Sequence, residues 1–326
     1  MTILVAPDSF KGTFSAAEVA RTISAGAESA GIPAPIRMPV ADGGEGTLDC
    51  LRHPMNLTIV AANSRNPWGC PLRGRYGLSD NGTAVIEIAE ASGITTFHDG
   101  VRDAVTANTY GTGMLIVDAV RRGATHVIVA AGGSATTDGG RGAIAAIQAG
   151  GLTPSKMTIL TDVVTRFGNA ARVFGPQKGA DTRTVEVLTE RLDQQAQRYP
   201  RDPRPVPGSG AAGGFAGGMW SVFGAQILSG ADFVLDHCGF DEAAQHASAI
   251  IVGEGRLDSQ TSAGKIISAI LRRAGEVPVF AVVGSLGDYR GDEFADILIA
   301  SDTAALQQAG ATLGTLMRRS DHRSFA

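Results

Sequence analysis

The sequence predicts an α/β protein made of two α/β domains. A discontinuous Rossmann/flavodoxin-like parallel-sheet domain spans residues 1–55 and 245–326, and a mixed α/β domain, 56–244, is inserted in it. Three observations carry this prediction. Short apolar runs alternate with helical patterns at both ends of the chain, the texture of βαβ units. From Leu57 that texture gives way to short strands with an Asn81-Gly82 turn signal between the last two. The length, 326 residues, exceeds one typical core.

Taken in order, Thr2-Ile3-Leu4-Val5-Ala6 reads as a strand closed by Pro7-Asp8. Ser15-Ala16-Ala17-Glu18 is a capping box opening a helix that runs to about Ala30 and stops at Gly31-Ile32-Pro33. A second strand, 36–40, delivers the chain to Ala41-Asp42-Gly43-Gly44-Glu45-Gly46-Thr47. Strands are expected at 57–61, 73–78 and 83–88, and a helix over 108–122. The run Val127-Ile128-Val129-Ala130-Ala131 reads as a buried strand, and a helix follows over 142–150. Next come a strand at 157–161, an amphipathic helix from Thr184 to about Arg198, a proline-rich stop at 200–207 and a helix around 220–228. Apolar strands at 249–252, 279–283 and 297–300 alternate with helices over 264–274 and around 302–310.

Composition narrows the function. A formal charge of −4 argues against nucleic-acid binding driven by charge. No apolar stretch approaches the ~18 residues of a membrane span, and the chain opens on a strand-like run without signal-peptide pattern, so a cytoplasmic protein is expected. Cys50, Cys70 and Cys238 show no CxxC or Cys/His zinc spacing and suit a reducing compartment. The six histidines, His98 among them, lack ligand spacing and read as structural or surface residues; Trp68 and Trp220 read as core. The 43 glycines sit in short clusters, marking sites defined by backbone.

The longest cluster, Gly132-Gly133-Ser134-Ala135-Thr136-Thr137-Asp138-Gly139-Gly140, follows a buried strand and precedes a helix, an arrangement suited to an anion. Gly208-x-Gly210-x-x-Gly213 has the form of a dinucleotide fingerprint, but residues 203–207 are too proline-rich for the strand it needs. Ser259-Gln260-Thr261-Ser262-Ala263-Gly264-Lys265 ends like a P-loop but lacks its first glycine and its Ser/Thr. Asp8-Ser9-Phe10-Lys11, Asp42-Gly43-Gly44-Glu45 and Gly253-Glu254-Gly255-Arg256-Leu257-Asp258 set acids at strand ends, where burial demands a metal, a cation or substrate hydroxyls. A helix-capping acid is the plain alternative.

Together these motifs, in this order and with Thr109-Tyr110-Gly111-Thr112-Gly113 and Phe174-Gly175-Pro176-Gln177-Lys178-Gly179-Ala180, resemble the bacterial glycerate kinase family from residue 1 to about 300. Two departures stand out: Asp162-Val163 is not followed by the family's Asn-Pro-Leu, and Thr137 replaces a common Asn. The resemblance implies ATP-dependent phosphorylation of D-glycerate to 2-phosphoglycerate, with Mg²⁺, in a monomer or homodimer whose active site lies in an interdomain cleft. It implies no nucleic-acid or membrane partner. On it, Asp42, Asp138 and Lys11 are expected to be catalytic, and Asp8, Ser9, Gly43, Gly44, Glu45 and Ser134 to bind substrate. Gly132, Gly133, Thr136, Lys178, Gly210, Gly213, Gly214 and Lys265 would contact ATP, and Glu254 and Asp258 the metal. A kinase of another small hydroxy acid, or a non-catalytic sensor on the same scaffold, is the alternative.

Overall fold

The computed structural model describes residues 2–257, 265–289 and 291–323. The chain forms two compact units, Met1–Asp42 with Ala231–Ala326, and Gly43–Gly230. The first holds a five-stranded all-parallel sheet in the order Asp296–Ile299, Val279–Leu286, Ala249–Leu257, Ile3–Pro7, Ile36–Arg37. Central strands of such a sheet are buried on both faces, which is why they read as unbroken apolar runs; all five residues of Ile3–Pro7 are buried. The predicted second strand shortens to Ile36–Arg37. Met38 N and Val40 N still donate to Val5 O and Pro7 O, so this edge follows the first strand to its end.

The capping box is present: Ser15 N donates to Glu18 Oε2 at 2.9 Å, and Glu18 N to Ser15 Oγ at 3.3 Å. The helix it starts, Ala16–Ser29, packs on the last helix, Thr303–Arg323, which outruns its expected end. Glycines sit at the crossing. A Cβ on Gly26 would run into Gln307 O, and one on Gly310 into Ile23 O. Val19, Ile23, Leu306 and Leu313 fill the space between the helix pair and the sheet.

The second unit holds a six-stranded mixed sheet in the order Thr58–Arg65, Pro71–Leu78, Thr83–Glu87, His126–Ala130, Lys156–Thr161, Gln226–Ser229. The first two pairings are antiparallel and the rest parallel. Gly82, at φ 80°, makes the expected hairpin turn. The last strand replaces the second half of the helix expected around 220–228. That helix runs over Phe215–Phe223 and is ended by Gly224 at φ 72°, after which Gln226–Ser229 pairs with Thr158–Thr161. The helices Tyr110–Arg121 and Arg141–Gly150 pack closely, since a Cβ on Gly113 would lie 2.7 Å from Ala143 Cα. Neither tryptophan joins the core. Trp68 stacks on His98 at 4.5 Å, and Trp220 lies 4.1 Å under the Arg201 guanidinium. No helix among the described residues is long and apolar enough to cross a membrane.

The glycine-lined crossing generates a test. Gly310→Ala, which forces a methyl against Ile23 O, should destabilise the protein by about 1–3 kcal/mol and lower Tm measurably. Gly168→Ala, with no atom within 4 Å of the new Cβ, should leave Tm unchanged. Equal Tm values for the two variants would contradict this packing.

Candidate active site

In the first unit the chemistry collects at the carboxyl edge of the parallel sheet, where open α/β sheets place ligands. Asp8 follows the first strand, with its N–H donating to Gly253 O at 2.9 Å and its Oδ1 accepting from Ser9 N at 2.6 Å. The tight Phe10–Phe14 turn, held by paired backbone hydrogen bonds and an edge-on contact of the two rings, carries Lys11. Glycines draw these pieces together. A Cβ on Gly253 would lie 2.8 Å from Pro7 Cβ, and one on Gly284 2.6 Å from Gly255 O. The result is a pocket of about 430 Å³ lined by Asp8, Ser9, Lys11, Glu254, Arg256 and Ser301, among others.

Asp8 is the unusual group in this pocket. Burial first, then the negative charge of Asp42, push its carboxyl up to about 7. Glu254 adds to the rise, while the Ser9 N–H and Lys11 oppose it. Asp8, Lys11, Asp42 and Glu254 therefore act on one another. Arg256, not singled out from the sequence, adds a guanidinium to the same pocket. Lys265 opens the helix Lys265–Arg273, and Asp258 lies outside the described residues.

In the second unit the Gly43-Gly44 turn meets the long glycine loop. Gly132 N donates to Gly43 O at 3.2 Å, and a Cβ on Gly132 would press against Gly44 Cα. Glu45 is exposed beyond the turn. Glu87, unremarked in the sequence although it ends an otherwise apolar strand, supports this turn: its Oε1 accepts from Leu48 N at 2.8 Å. Burial pushes its carboxyl up to about 7.

The loop itself is organised by its own side chains. Asp138 Oδ2 accepts from Thr109 N, Thr109 Oγ1 and Gly142 N, each at 2.9 Å, and its Oδ1 accepts from Gly140 N at 3.1 Å. The N-terminus of the Arg141–Gly150 helix thus already holds an anion, the carboxylate of Asp138. Thr109 Oγ1 also accepts from Ala143 N at 3.0 Å, completing the first turn. Lys178 is buried, which lowers its ammonium to about 7 against the pull of Asp138. Its Nζ donates to Ser134 Oγ at 3.0 Å and Thr136 O at 2.6 Å. Gly133, at φ 75°, makes the bend that precedes Ser134.

The glycines at 208–214 serve packing within the same unit. A Cβ on Gly213 would strike Thr136 O, one on Gly210 would lie 2.6 Å from Arg166 O, and one on Gly214 2.8 Å from the Phe167 ring. These contacts explain the spacing that imitates a dinucleotide fingerprint. Beside them lies a second pocket of about 430 Å³, lined by Arg65, Asn108, Tyr110, Asp138, Arg141 and Arg191, among others. Buried polar atoms without a hydrogen-bond partner gather here: Arg191 Nε, Gln195 Oε1, and Thr136 and Thr137 Oγ1 nearby. The sequence had not signalled the three arginines, which are scattered along it.

Comparison with known proteins shows similarity over most of the chain. The profile described as the glycerate kinase family matches residues 3–159 and 148–323. The chain is 34% identical to a glycerate kinase of Halalkalibacterium halodurans, over 88% of this chain and 86% of that protein. It is 34% identical to a glycerate 2-kinase of Escherichia coli K12, with the same shares covered. A crystal structure assigned to glycerate kinase 2 of Salmonella typhimurium LT2 superposes with a TM-score of 0.82 at 29% identity, covering 99% of both chains.

The internal role of Asp138 is testable apart from any activity. Asp138→Ala leaves the first turn of the helix and Thr109 without their acceptor and should cost about 3 kcal/mol. Asp138→Asn, which keeps one acceptor oxygen, should cost less. Chemical denaturation of both variants with no loss of stability would refute the assignment.

Proposed function

Because this chain belongs to the glycerate kinase family, we propose that it transfers the γ-phosphoryl group of ATP to the 2-hydroxyl of D-glycerate, giving 2-phosphoglycerate and ADP. Family membership makes it an enzyme, a kinase that acts on a small molecule. The observation that carries the finer reading is the near-neutral Asp8 carboxyl beside Lys11 and Arg256. A general base works best when its pKa lies near the working pH, and Asp8 fits that requirement.

In this reading Asp8 accepts the proton of the attacking hydroxyl, and Asp42 orients that hydroxyl. Lys11 and Arg256 hold the substrate carboxylate and offset charge developing on the transferring group. Asp42 and Glu254, whose charges both reach Asp8, carry hard oxygen donors of the kind Mg²⁺ takes. Glu254 and Asp42 would hold the ion, whose chemistry there is to neutralise phosphate charge. Ser9 donates its N–H to Asp8 and keeps that carboxylate in place. Asp138 and Lys178 keep structural tasks, with their polar atoms engaged inside the second unit.

The test combines product analysis with a pH profile. Incubation with ATP, Mg²⁺ and D-glycerate should yield 2-phosphoglycerate, distinguished from the 3-isomer by ³¹P NMR. Formation of neither isomer would reject the reading. Because the carboxylate form is the base, kcat/KM should fall as pH drops below about 7. Asp8→Asn should lower kcat/KM by about 10²-fold or more. For stability the sign is opposite. A carboxyl raised from 3.8 to about 7 favours folding when protonated, and that contribution is lost as pH rises through this window. Asp8→Asn should therefore raise Tm at pH ~8 while it lowers activity. An Asp8→Asn enzyme of normal activity would move the base to Asp42.

A further inference from the structure

We propose that Cys70, His98 and Asp99 form a binding site for a zinc-type divalent metal ion, with water in the fourth position. The three side chains are far apart in sequence terms that matter for motifs, since Cys70 ends one hairpin turn and His98-Asp99 lie in a later loop. The fold brings one ligand atom from each within 4.8 Å of the others. Cys70 Sγ lies 3.8 Å from His98 Nδ1. Tetrahedral zinc, with Zn–S of about 2.3 Å and Zn–N of about 2.0–2.1 Å, sets those two atoms roughly 3.6 Å apart. For these two ligand atoms the ion therefore needs shifts of only tenths of an ångström.

The surroundings hold the ligands in the required state. The His98 ring stacks on Trp68, with centroids 4.5 Å apart and planes 15° from parallel, which fixes its orientation. Asn66 Nδ2, which can only donate, faces His98 Nδ1 at 3.5 Å. An ion bound at Nδ1 would take the lone pair that this long contact faces, and the Asn66 amide would give way to it. Asn66 positions both ligand segments. Its Oδ1 accepts from Trp68 N at 3.0 Å and Cys70 N at 2.9 Å, and its Nδ2 donates to Phe97 O at 3.1 Å. Polar groups that orient ligands in this way are the usual companions of a metal site.

The donor set selects the ion. Thiolate, imidazole and carboxylate suit a borderline-soft ion such as Zn²⁺ and disfavour Mg²⁺ and Ca²⁺, which take oxygen. Cys70 and His98 are half-buried and Asp99 is exposed, so an ion can enter from solvent. As the sulfur–metal bond forms, the Cys70 thiol proton passes to solvent; neutral His98 gives up none. Bound metal would staple the segment 93–109, already tied to the hairpin by Trp68 Nε1 donating to Asp103 O and Asn108 Nδ2 to Pro67 O. Asn66, Gly69 and Asn108 of these two segments line the arginine pocket, so the metal would stiffen one of its walls.

Titration of the full-length, metal-stripped protein with cobalt(II) and zinc(II) tests the site without any catalytic readout. One cobalt ion per chain should bind with a thiolate-to-metal charge-transfer band and the visible intensity of tetrahedral cobalt, and zinc should displace it. Cys70→Ser and His98→Ala should each remove the band and weaken zinc binding at least about 10-fold. Should either variant misfold by circular dichroism, two further measurements decide. Asp99→Asn should weaken zinc binding, and zinc should slow alkylation of Cys70 in the unaltered protein. Cobalt binding without a charge-transfer band, zinc affinity indifferent to these substitutions, or alkylation of Cys70 unaffected by zinc would overturn the proposal.

Discussion

Close backbone approach at the carboxyl ends of strands is the constraint on which the rest of this molecule depends. In the first unit Gly253 accommodates Pro7, and Gly284 accommodates the chain at Gly255, so adjacent strand ends and the Phe10 turn share one small volume. In the second, Gly132 lies against Gly44 and Gly213 against Thr136. Any side chain at the first pair of points would separate the very segments that carry Asp8, Lys11 and Glu254. At these four glycines the cause is shared: two segments of chain meet where a side chain would not fit.

Buried charge sorts the functional candidates from the structural ones. An ionised group withdrawn from water requires partners or shifts its proton equilibrium. Asp138 solves this with four hydrogen-bond donors and becomes part of the scaffold. Lys178 is tied to Ser134 and Thr136 and gives up part of its affinity for a proton. Asp8 takes the other route: one internal donor and two acidic neighbours leave its carboxyl near neutrality on a pocket wall. Glu87 shares the shifted equilibrium, but its oxygen is occupied by Leu48 N, which marks it as a support for the turn.

Much of the fold was legible because local signals agreed with tertiary need. The capping box at Ser15, the buried run at Val127 and the Asn81-Gly82 turn each have one comfortable conformation. The resemblance to glycerate kinases was likewise legible, since it rests on several motifs in a fixed order. What failed was of two kinds. The strand Gln226–Ser229 is four residues long and gains its identity only by pairing with Thr158–Thr161. The site partners Thr109, Arg191, Arg256 and Glu87 lie far in sequence from the groups they serve, and no spacing rule reports a contact made by folding. Residues 132–140 read as an anion loop, and the folded chain sets the Asp138 carboxylate against Gly142 N at the start of the following helix.

The discontinuity of the first unit also has a consequence for biosynthesis. Every strand of the mixed sheet has left the ribosome once Ser229 emerges, so the insert can mature while translation continues. The amino-terminal strand has no such independence. Its neighbour Ala249–Leu257 is made more than two hundred residues later, and the helix Ala16–Ser29 waits for Thr303–Arg323. Until then its apolar face, with Val19 and Ile23, has chiefly the Ile3–Pro7 strand to pack against. Nascent chains of this enzyme thus pass through the last third of their synthesis with a finished middle and an unfinished beginning, and chaperone demand should fall on the first forty residues.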